Sequence, residues 1–387
     1  MGWRSSWTYS WNVGELKGWR GDDVRGLTLQ LSNPPTQRTG LDIDETMNGY
    51  RVGIVGATGV VGREALRVLQ ERNFPASTLK LFASSRSTGR RIGSHVVEEA
   101  SRAAFHDLEL VIFDTPDEVA RELVPLAAAA GATVIDNSAA FRMEPDVPLV
   151  IPEVNAEALR HAPRRIIANP NCTTATIAVP LAPLHKAAGL RRLIACSYQS
   201  VSGAGQRGVD QLWAELQEAG ASRRTPDRPR GSAFAEPIAL NVIPAVGSMR
   251  GAVSSEETKV AAELRKMLSA PRLPVGVTCV RVPTLVAHGV AVHAEFERPL
   301  DAAQARKLLA AAPGVELVDD PAAGRVPTTL AAAGRDPCLV GRIRTDEAGC
   351  LAFFAVADNL RKGAALNAVQ IAEHLIEMGL LTSKVTS

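Results

Sequence analysis

Tyr50-Arg51-Val52-Gly53-Ile54-Val55 runs straight into Gly56-Ala57-Thr58-Gly59-Val60-Val61-Gly62, and no other stretch restricts the possible folds as tightly. The apolar run has the length of a buried strand, and Arg63 to Glu71 is predicted as the helix that follows. Glycine at 56, 59 and 62 suits a tight turn and a close backbone approach to a pyrophosphate, which the helix N-terminus would face. The spacing is a looser form of the dinucleotide fingerprint, so the strand before it and the helix after it carry the assignment. Gly56, Thr58, Gly59, Val60, Val61 and Gly62 are the expected cofactor contacts of this turn.

The same rhythm continues downstream. Strands are expected at Leu79 to Ala83, Glu109 to Phe113 and Thr133 to Asp136, with a helix from Asp117 to Ala130. Strand and helix in alternation make a doubly wound, Rossmann-type parallel sheet in an α/β protein. An NAD site places a carboxylate about twenty residues beyond the fingerprint. This chain has Ser84-Ser85-Arg86-Ser87-Thr88-Gly89-Arg90-Arg91 there, with no acidic group. Arg86 and Ser87 are suited to clasp a 2′-phosphate, so the expected cofactor is NADP.

Composition narrows the function classes. A chain of 387 residues suffices for two domains. Its 43 basic and 41 acidic residues leave no broad field for nucleic acid. The five cysteines (172, 196, 279, 338 and 350) are scattered and never spaced as Cys-x-x-Cys. Neither a disulfide framework nor a metal site is expected, and a reducing cytoplasm fits. The apolar stretch from Leu123 to Ile135 is too short and too broken by glycine to span a bilayer, so no membrane partner is expected. Residues 1–48 hold four of the five tryptophans without sustained periodicity, and read as a disordered extension ahead of Met47 or Tyr50.

A second feature bears on chemistry. Arg165 to Ala168 reads as a short strand and Ala175 onward as a helix, so Cys172 in Asn169-Pro170-Asn171-Cys172-Thr173-Thr174 falls at a helix head. The positive end of that helix would lower a thiol pKa from about 8.5 toward neutrality and make a nucleophile. From this stretch alone a buried, inert cysteine is an equal alternative.

Gly56 to Gly62, Asp136-Asn137-Ser138-Ala139-Ala140-Phe141-Arg142, Asn169 to Thr174 and Asp358-Asn359-Leu360-Arg361-Lys362-Gly363-Ala364-Ala365 together resemble the aspartate-semialdehyde dehydrogenase family, from about Tyr50 to the C-terminus. N-acetyl-glutamyl-phosphate reductase shares the chemistry but usually has Gly where Asn171 stands. The resemblance implies a glyceraldehyde-3-phosphate-dehydrogenase-like fold, with a second, α+β domain for catalysis and dimerisation. It implies an NADP-binding domain of residues 49–172 with 359–387, and a catalytic and oligomerisation domain of residues 173–358. The implied reaction is reversible NADPH-dependent reduction of 4-phospho-L-aspartate to L-aspartate 4-semialdehyde with release of phosphate, through a Cys172 thioester. That reaction would serve the biosynthesis of lysine, threonine, methionine and diaminopimelate, in a homodimer or homotetramer.

The resemblance also distributes roles. His288 is implied as the acid–base group and Gln199 as an amide that orients substrate, although spacing alone puts Gln199 on the wet face of a strand. Ser202 and Gly203 would form part of the cofactor wall, and Asn359 would open the final helix and reach the nicotinamide. Arg142 and Lys259 would hold phosphate, Arg281 the substrate carboxylate, and Glu256 its amine, with Asn171 in the same substrate-binding set. From residues alone, Ser255 to Lys259 reads as a capped, solvated helix start. Cys196 and the 212, 213, 216 stripe (Leu212, Trp213 and Leu216) read as core, and His293 as an interface residue. A non-catalytic paralogue that keeps the nucleotide fold, and a cysteine hydrolase, are the competing classes.

Overall fold

The computed structural model describes residues 49–227 and 232–381, and the extension expected over 1–48 lies outside the described residues. The first sheet contains β1 (Tyr50–Val55), β2 (Ala76–Ala83), β3 (Arg91–Ile92), β4 (His95–Glu99), β5 (Leu110–Phe113), β6 (Thr133–Asp136) and β7 (Ile166–Ala168). They lie in the order β3-β4-β2-β1-β5-β6-β7, parallel throughout except for the short β3–β4 hairpin, which sequence periodicity did not reveal. Val52 and Ile54 are wholly buried, as expected of a central strand covered on both faces. The chain leaves β1 toward β2 on one side and returns to β5 on the other. The crevice at their C-terminal ends is the switch point where open α/β sheets bind ligands.

The second sheet holds β8 (Leu190–Gln199), β11 (Val275–Arg281), β12 (His288–Phe296), β13 (Val315–Leu317), β14 (Cys338–Thr345) and β15 (Leu351–Ala357), in the order β11-β8-β12-β15-β14-β13. A separate hairpin is formed by β9 (Met249–Arg250) and β10 (Val253–Ser254). The helices are α1 (Val60–Glu71), α2 (Asp117–Ala129), α3 (Pro152–Asn155), α4 (Cys172–Ala188), α5 (Gln206–Ser222), α6 (Ser255–Met267), α7 (Ala302–Ala310), α8 (Thr329–Ala332) and α9 (Leu366–Glu377). Parallel sheet with crossover helices plus mixed sheet gives the expected α/β architecture.

Helix α4 joins the two sheets. Its Ala175, Ile177 and Leu181 belong to one continuous core with Val134 and Ile166 of the first sheet and Leu193, Val292 and Ala355 of the second. An interior proline costs a helix about 3 kcal/mol, and α4 contains Pro180 and Pro183. Full burial of Ile177, Leu181 and Leu184 offsets that at about 1.5–3 kcal/mol per side chain. The head of α4 is therefore anchored rigidly between both layers.

Three expectations change here. Trp213 is 39% exposed while Leu212 is buried, because α5 packs only a narrow stripe against Val201, Ile238 and Ile243. Cys196 is half-exposed, since alternation along β8 turns it outward with Ile194 and Tyr198. Gln199 is 1% exposed, so it lies on the covered face of the strand instead of the wet one.

Candidate active site

The nucleotide turn has the geometry its glycines require. A Cβ on Gly56, whose φ is 89°, would lie 2.0 Å from the Asp114 carbonyl oxygen, and one on Gly62 would lie 2.3 Å from the Gly56 carbonyl oxygen. Gly59 caps α1 without any side-chain hydrogen bond, so the first N–H groups of that helix stay open to an anion. Thr58, Gly59, Val60 and Val61 are half-buried around it. Exposed Arg86 and half-buried Ser87 follow the end of β2, whose Phe82 carbonyl accepts from the Gly56 and Ala57 amides. They therefore stand at the same sheet edge as the cradle. The residues fit a phosphate-bearing dinucleotide.

Beneath the cradle lies Asp114, which sequence reasoning missed. Burial pushes its carboxyl up to about 6, and the neighbouring Asp136 adds to the rise against a hydrogen bond from Asn137.

Cys172 is the first residue of α4. The Asn171 side chain caps the helix, its oxygen accepting from the Thr173 amide at 2.8 Å and the Thr174 amide at 3.3 Å. The Asn171 side-chain nitrogen donates to Glu256 at 2.7 Å, and its backbone N–H donates to Glu263 at 2.7 Å. Glu263 in turn accepts from Arg142 at 2.9 Å. Arg142 also donates to the carbonyls of Asn169 and Asn137, at 2.8 and 2.6 Å. Glu256, Lys259 and Glu263 share one face of α6 at helical spacing, so half-buried Lys259 belongs to the stripe that meets the head of α4. Among the described residues Lys259 has no ion-pair partner. Glu257, beside Glu256, completes a capping box with Ser254. The acidic pair thus splits its work.

The thiol does not have the low pKa its helix position led us to expect. Burial, followed by the Glu256 carboxylate, pushes Cys172 up to about 12, against the lowering influence of Arg142, Arg281 and the Thr173 amide. Loss of water and one adjacent negative charge outweigh the favourable helix end. In this state Cys172 is a protonated thiol.

Gln199, Arg281 and His288 meet because they end three adjacent strands. Arg281 of β11 is in register with Gln199 of β8, and His288 opens β12 one position beyond the Gly289–Tyr198 pair. Gln199 donates to Ser197 at 3.2 Å. Arg281 is 6% exposed and donates to the Ser200 carbonyl at 2.6 Å, while its Nε has no partner. Burial lowers its pKa, and Phe234 lies under its guanidinium at 5.6 Å. His288 is wholly buried with Nε2 unpartnered. Burial first and Arg281 second push it down to about 3, so the imidazole is neutral. A Cβ on Gly203 would lie 2.9 Å from Arg281 Nη1 and 3.3 Å from His288 Nε2, so this glycine keeps open the space both groups face.

The C-terminal motif closes the arrangement. Asn359 exchanges hydrogen bonds with Ser202, with Asn359 Nδ2 donating at 3.0 Å. It precedes a π-type turn, Arg361–Ala365, instead of opening the final helix directly. A Cβ on Gly363 would lie 2.6 Å from Cys172 Cβ and 3.6 Å from Asn359 Cβ. Gly363 is thus a site residue that the motif contained but spacing could not single out. Arg361 bonds to Glu64 at 2.9 Å, tying the turn to α1 and hence to the nucleotide cradle. Buried Lys362 is spent on Glu153, Asn367 and Gln370. A 450 Å³ cavity lined by Val253, Glu257, Thr258 and Val277 sits on the opposite face of α6 and is not this site.

A dinucleotide cradle bolted to a turn that packs against a helix-head thiol, with a guanidinium and an imidazole beside it, fits a nicotinamide-dependent dehydrogenase. The chain belongs to the semialdehyde dehydrogenase family. Residues 51–162 match the family's "NAD binding domain" and residues 181–362 its "dimerisation domain". The aspartate-semialdehyde dehydrogenase of Streptomyces akiyoshiensis is 48% identical over 335 residues, covering 84% of this chain and 97% of that one. That of Aquifex aeolicus is 41% identical over 349 residues, covering 86% and 100%. The crystal structure of aspartate semialdehyde dehydrogenase II from Vibrio cholerae superposes with a TM-score of 0.81 at 40% identity, covering 85% of this chain and 99% of that one.

Proposed function

We propose that this chain is an aspartate-semialdehyde dehydrogenase, which interconverts 4-phospho-L-aspartate and L-aspartate 4-semialdehyde with NADP as the hydride carrier. The observation that supports it most directly is the pair of unpartnered buried groups, Arg281 Nε and His288 Nε2, beside the opening kept by Gly203. A buried guanidinium whose Nε is unpartnered and that has no carboxylate partner among the described residues calls for an anion, and the substrate carboxylate is one. Lys259, with Arg142 close by, serves the phosphate, and Glu256 serves the α-ammonium group. When bound, NADPH supplies the hydride. The absence of any acidic residue from Ser84 to Arg91 favours NADP over NAD.

The reading also explains how a high-pKa thiol becomes a nucleophile. The substrate ammonium pairs with Glu256 and cancels the charge that raises Cys172. The Cys172 sulfur then bonds the acyl carbon as the C–O bond to phosphate breaks, and the departing phosphate takes the electron pair and the thiol proton, giving a thioester. His288 Nε2–H protonates the thiohemiacetal oxygen as that tetrahedral species forms, and the imidazole takes the proton back as the C–S bond breaks to release the aldehyde and the Cys172 thiolate. Gln199 holds the acyl group for attack.

The division at Cys172, with the C-terminal segment returning to the nucleotide domain, is supported by the packing of Leu366, Val369 and Ile371 against Val52, Ile54 and Leu66. The family's dimerisation domain supports a homodimer, with a homotetramer as a further stage of assembly. Among the described residues no helix is long and apolar enough to cross a membrane, and the cytoplasm is the proposed location. The test is to mix the protein with aspartate semialdehyde, phosphate and NADP and follow absorbance of the reduced nicotinamide. Formation of NADPH is expected, and its absence with folded protein refutes the function.

A further inference from the structure

We propose that Asn359 and Ser200 together fix the tautomer of His288, so that Asn359 positions the proton donor in addition to its place in the cofactor wall. The inference rests on the reading of the site given above. It begins with the Ser200 backbone N–H, which lies 3.1 Å from His288 Nδ1. A backbone amide can only donate, so Nδ1 must present its lone pair and the proton of the neutral ring sits on Nε2. That is the nitrogen without a partner, facing the opening at Gly203. The Ala287 backbone favours the protonated ring, but its influence is smaller than burial and smaller than Arg281.

Asn359 holds the parts of this arrangement in register. Its Oδ1 accepts from the Ala287 amide at 2.9 Å and from the Ser200 hydroxyl at 3.0 Å. The Ser202 hydroxyl also lies within reach of Oδ1, at 3.1 Å, and Nδ2 donates to Ser202 at 3.0 Å. The Ser200 hydroxyl has Asn359 Oδ1 at 3.0 Å and the Ser202 hydroxyl at 3.1 Å as partners, both nearer than Nδ1 at 3.2 Å, and the backbone amide serves the ring. Ala287 has φ 72°, a left-handed conformation that a residue with a Cβ resists. Such a backbone persists only where its surroundings over-determine it, and here the tie to Asn359 does so immediately before His288. One side chain from the C-terminal motif thus clamps both the residue before the imidazole and the residue that selects its tautomer.

The experiment labels histidine with ¹⁵N and reads the His288 ring nitrogens by long-range proton–nitrogen correlation, with His288→Asn identifying the signal. The wild-type protein without substrate is expected to show a bare Nδ1 and a protonated Nε2 at neutral pH. Ser200→Ala keeps the backbone donor and should keep that tautomer. Asn359→Ala should mix the tautomers and lower kcat about a hundredfold, the scale of a small misplacement of a reacting group, with a smaller loss of NADP affinity. Adding Ala287→Gly to Asn359→Ala should restore kcat several-fold, because glycine takes φ 72° without resistance. A proton on Nδ1 in the wild type overturns the proposal, as does Asn359→Ala with an unchanged tautomer, or a double variant with no recovery. The tautomer is read without turnover, so it stands or falls separately from the proposed activity.

Discussion

Replacing Glu256 by glutamine separates the two influences on Cys172 in one step. Glu256 is 9% exposed and is, after burial, the largest cause of the raised thiol pKa. Glutamine keeps an oxygen to accept from Asn171, which lies 2.7 Å away, so the cap of α4 survives the change. Removing a like charge in poorly hydrated surroundings lowers a pKa by about one unit or more. Well below the pKa, one unit means about ten times more thiolate at any pH. A less basic thiolate is also a weaker nucleophile, by about threefold per unit. The net expectation is alkylation of Cys172 by iodoacetamide about threefold faster at neutral pH. The modified peptide should be followed by mass spectrometry, because Cys196 is half-exposed and reacts independently. In the wild type the rate should climb with pH without a plateau through neutrality, since the thiol is pushed up to about 12 and only the deprotonated form reacts. Alkylation unchanged or slowed in Glu256→Gln would refute the claim that this carboxylate holds the thiol protonated.

Other substitutions probe the rest of the site. Gly363→Ala brings a methyl to 2.6 Å from Cys172 Cβ, and the forced shift of the thiol should lower kcat about a hundredfold in steady-state assays. Arg281→Ala should raise KM for aspartate semialdehyde about a hundredfold by removing the carboxylate's charged partner, and an unchanged KM would exclude Arg281 from that role. Arg86→Ala should raise KM for NADP about tenfold while leaving KM for NAD as it was. Equal effects on both cofactors would remove the 2′-phosphate assignment. Light scattering after size exclusion should give the mass of a dimer or a larger assembly, and a monomer would contradict the assembly proposed.

The fold was readable where the signal was local. The run from Tyr50 to Gly62 and the strand-to-helix junction at Cys172 lie within single stretches, and both elements appear with nearly the expected bounds. Properties that depend on distant partners were not readable. The Cys172 thiol is set by Glu256, Arg142 and Arg281, which only the fold brings together, so the helix head alone pointed in the wrong direction. Gln199 follows the alternation of β8 onto the face shared by Leu193, Ala195 and Ser197, and the wet-face reading failed because that face is the covered one, while Trp213 stays out because nothing wide enough covers α5. Gly363 and Ser200 matter through contacts across more than a hundred residues, such as the 159 that separate Ser200 from Asn359. No window of sequence contains such a pair.

The central claim is that carbon is carried on Cys172, and trapping the acyl-enzyme tests it most directly. Protein mixed with aspartate semialdehyde and NADP but no phosphate should release NADPH in a burst equal to its active sites. Intact mass and peptide mapping should then place an aspartyl group on Cys172, and added phosphate should discharge it. An adduct on another residue, or a burst of the same size from Cys172→Ser, would contradict the account.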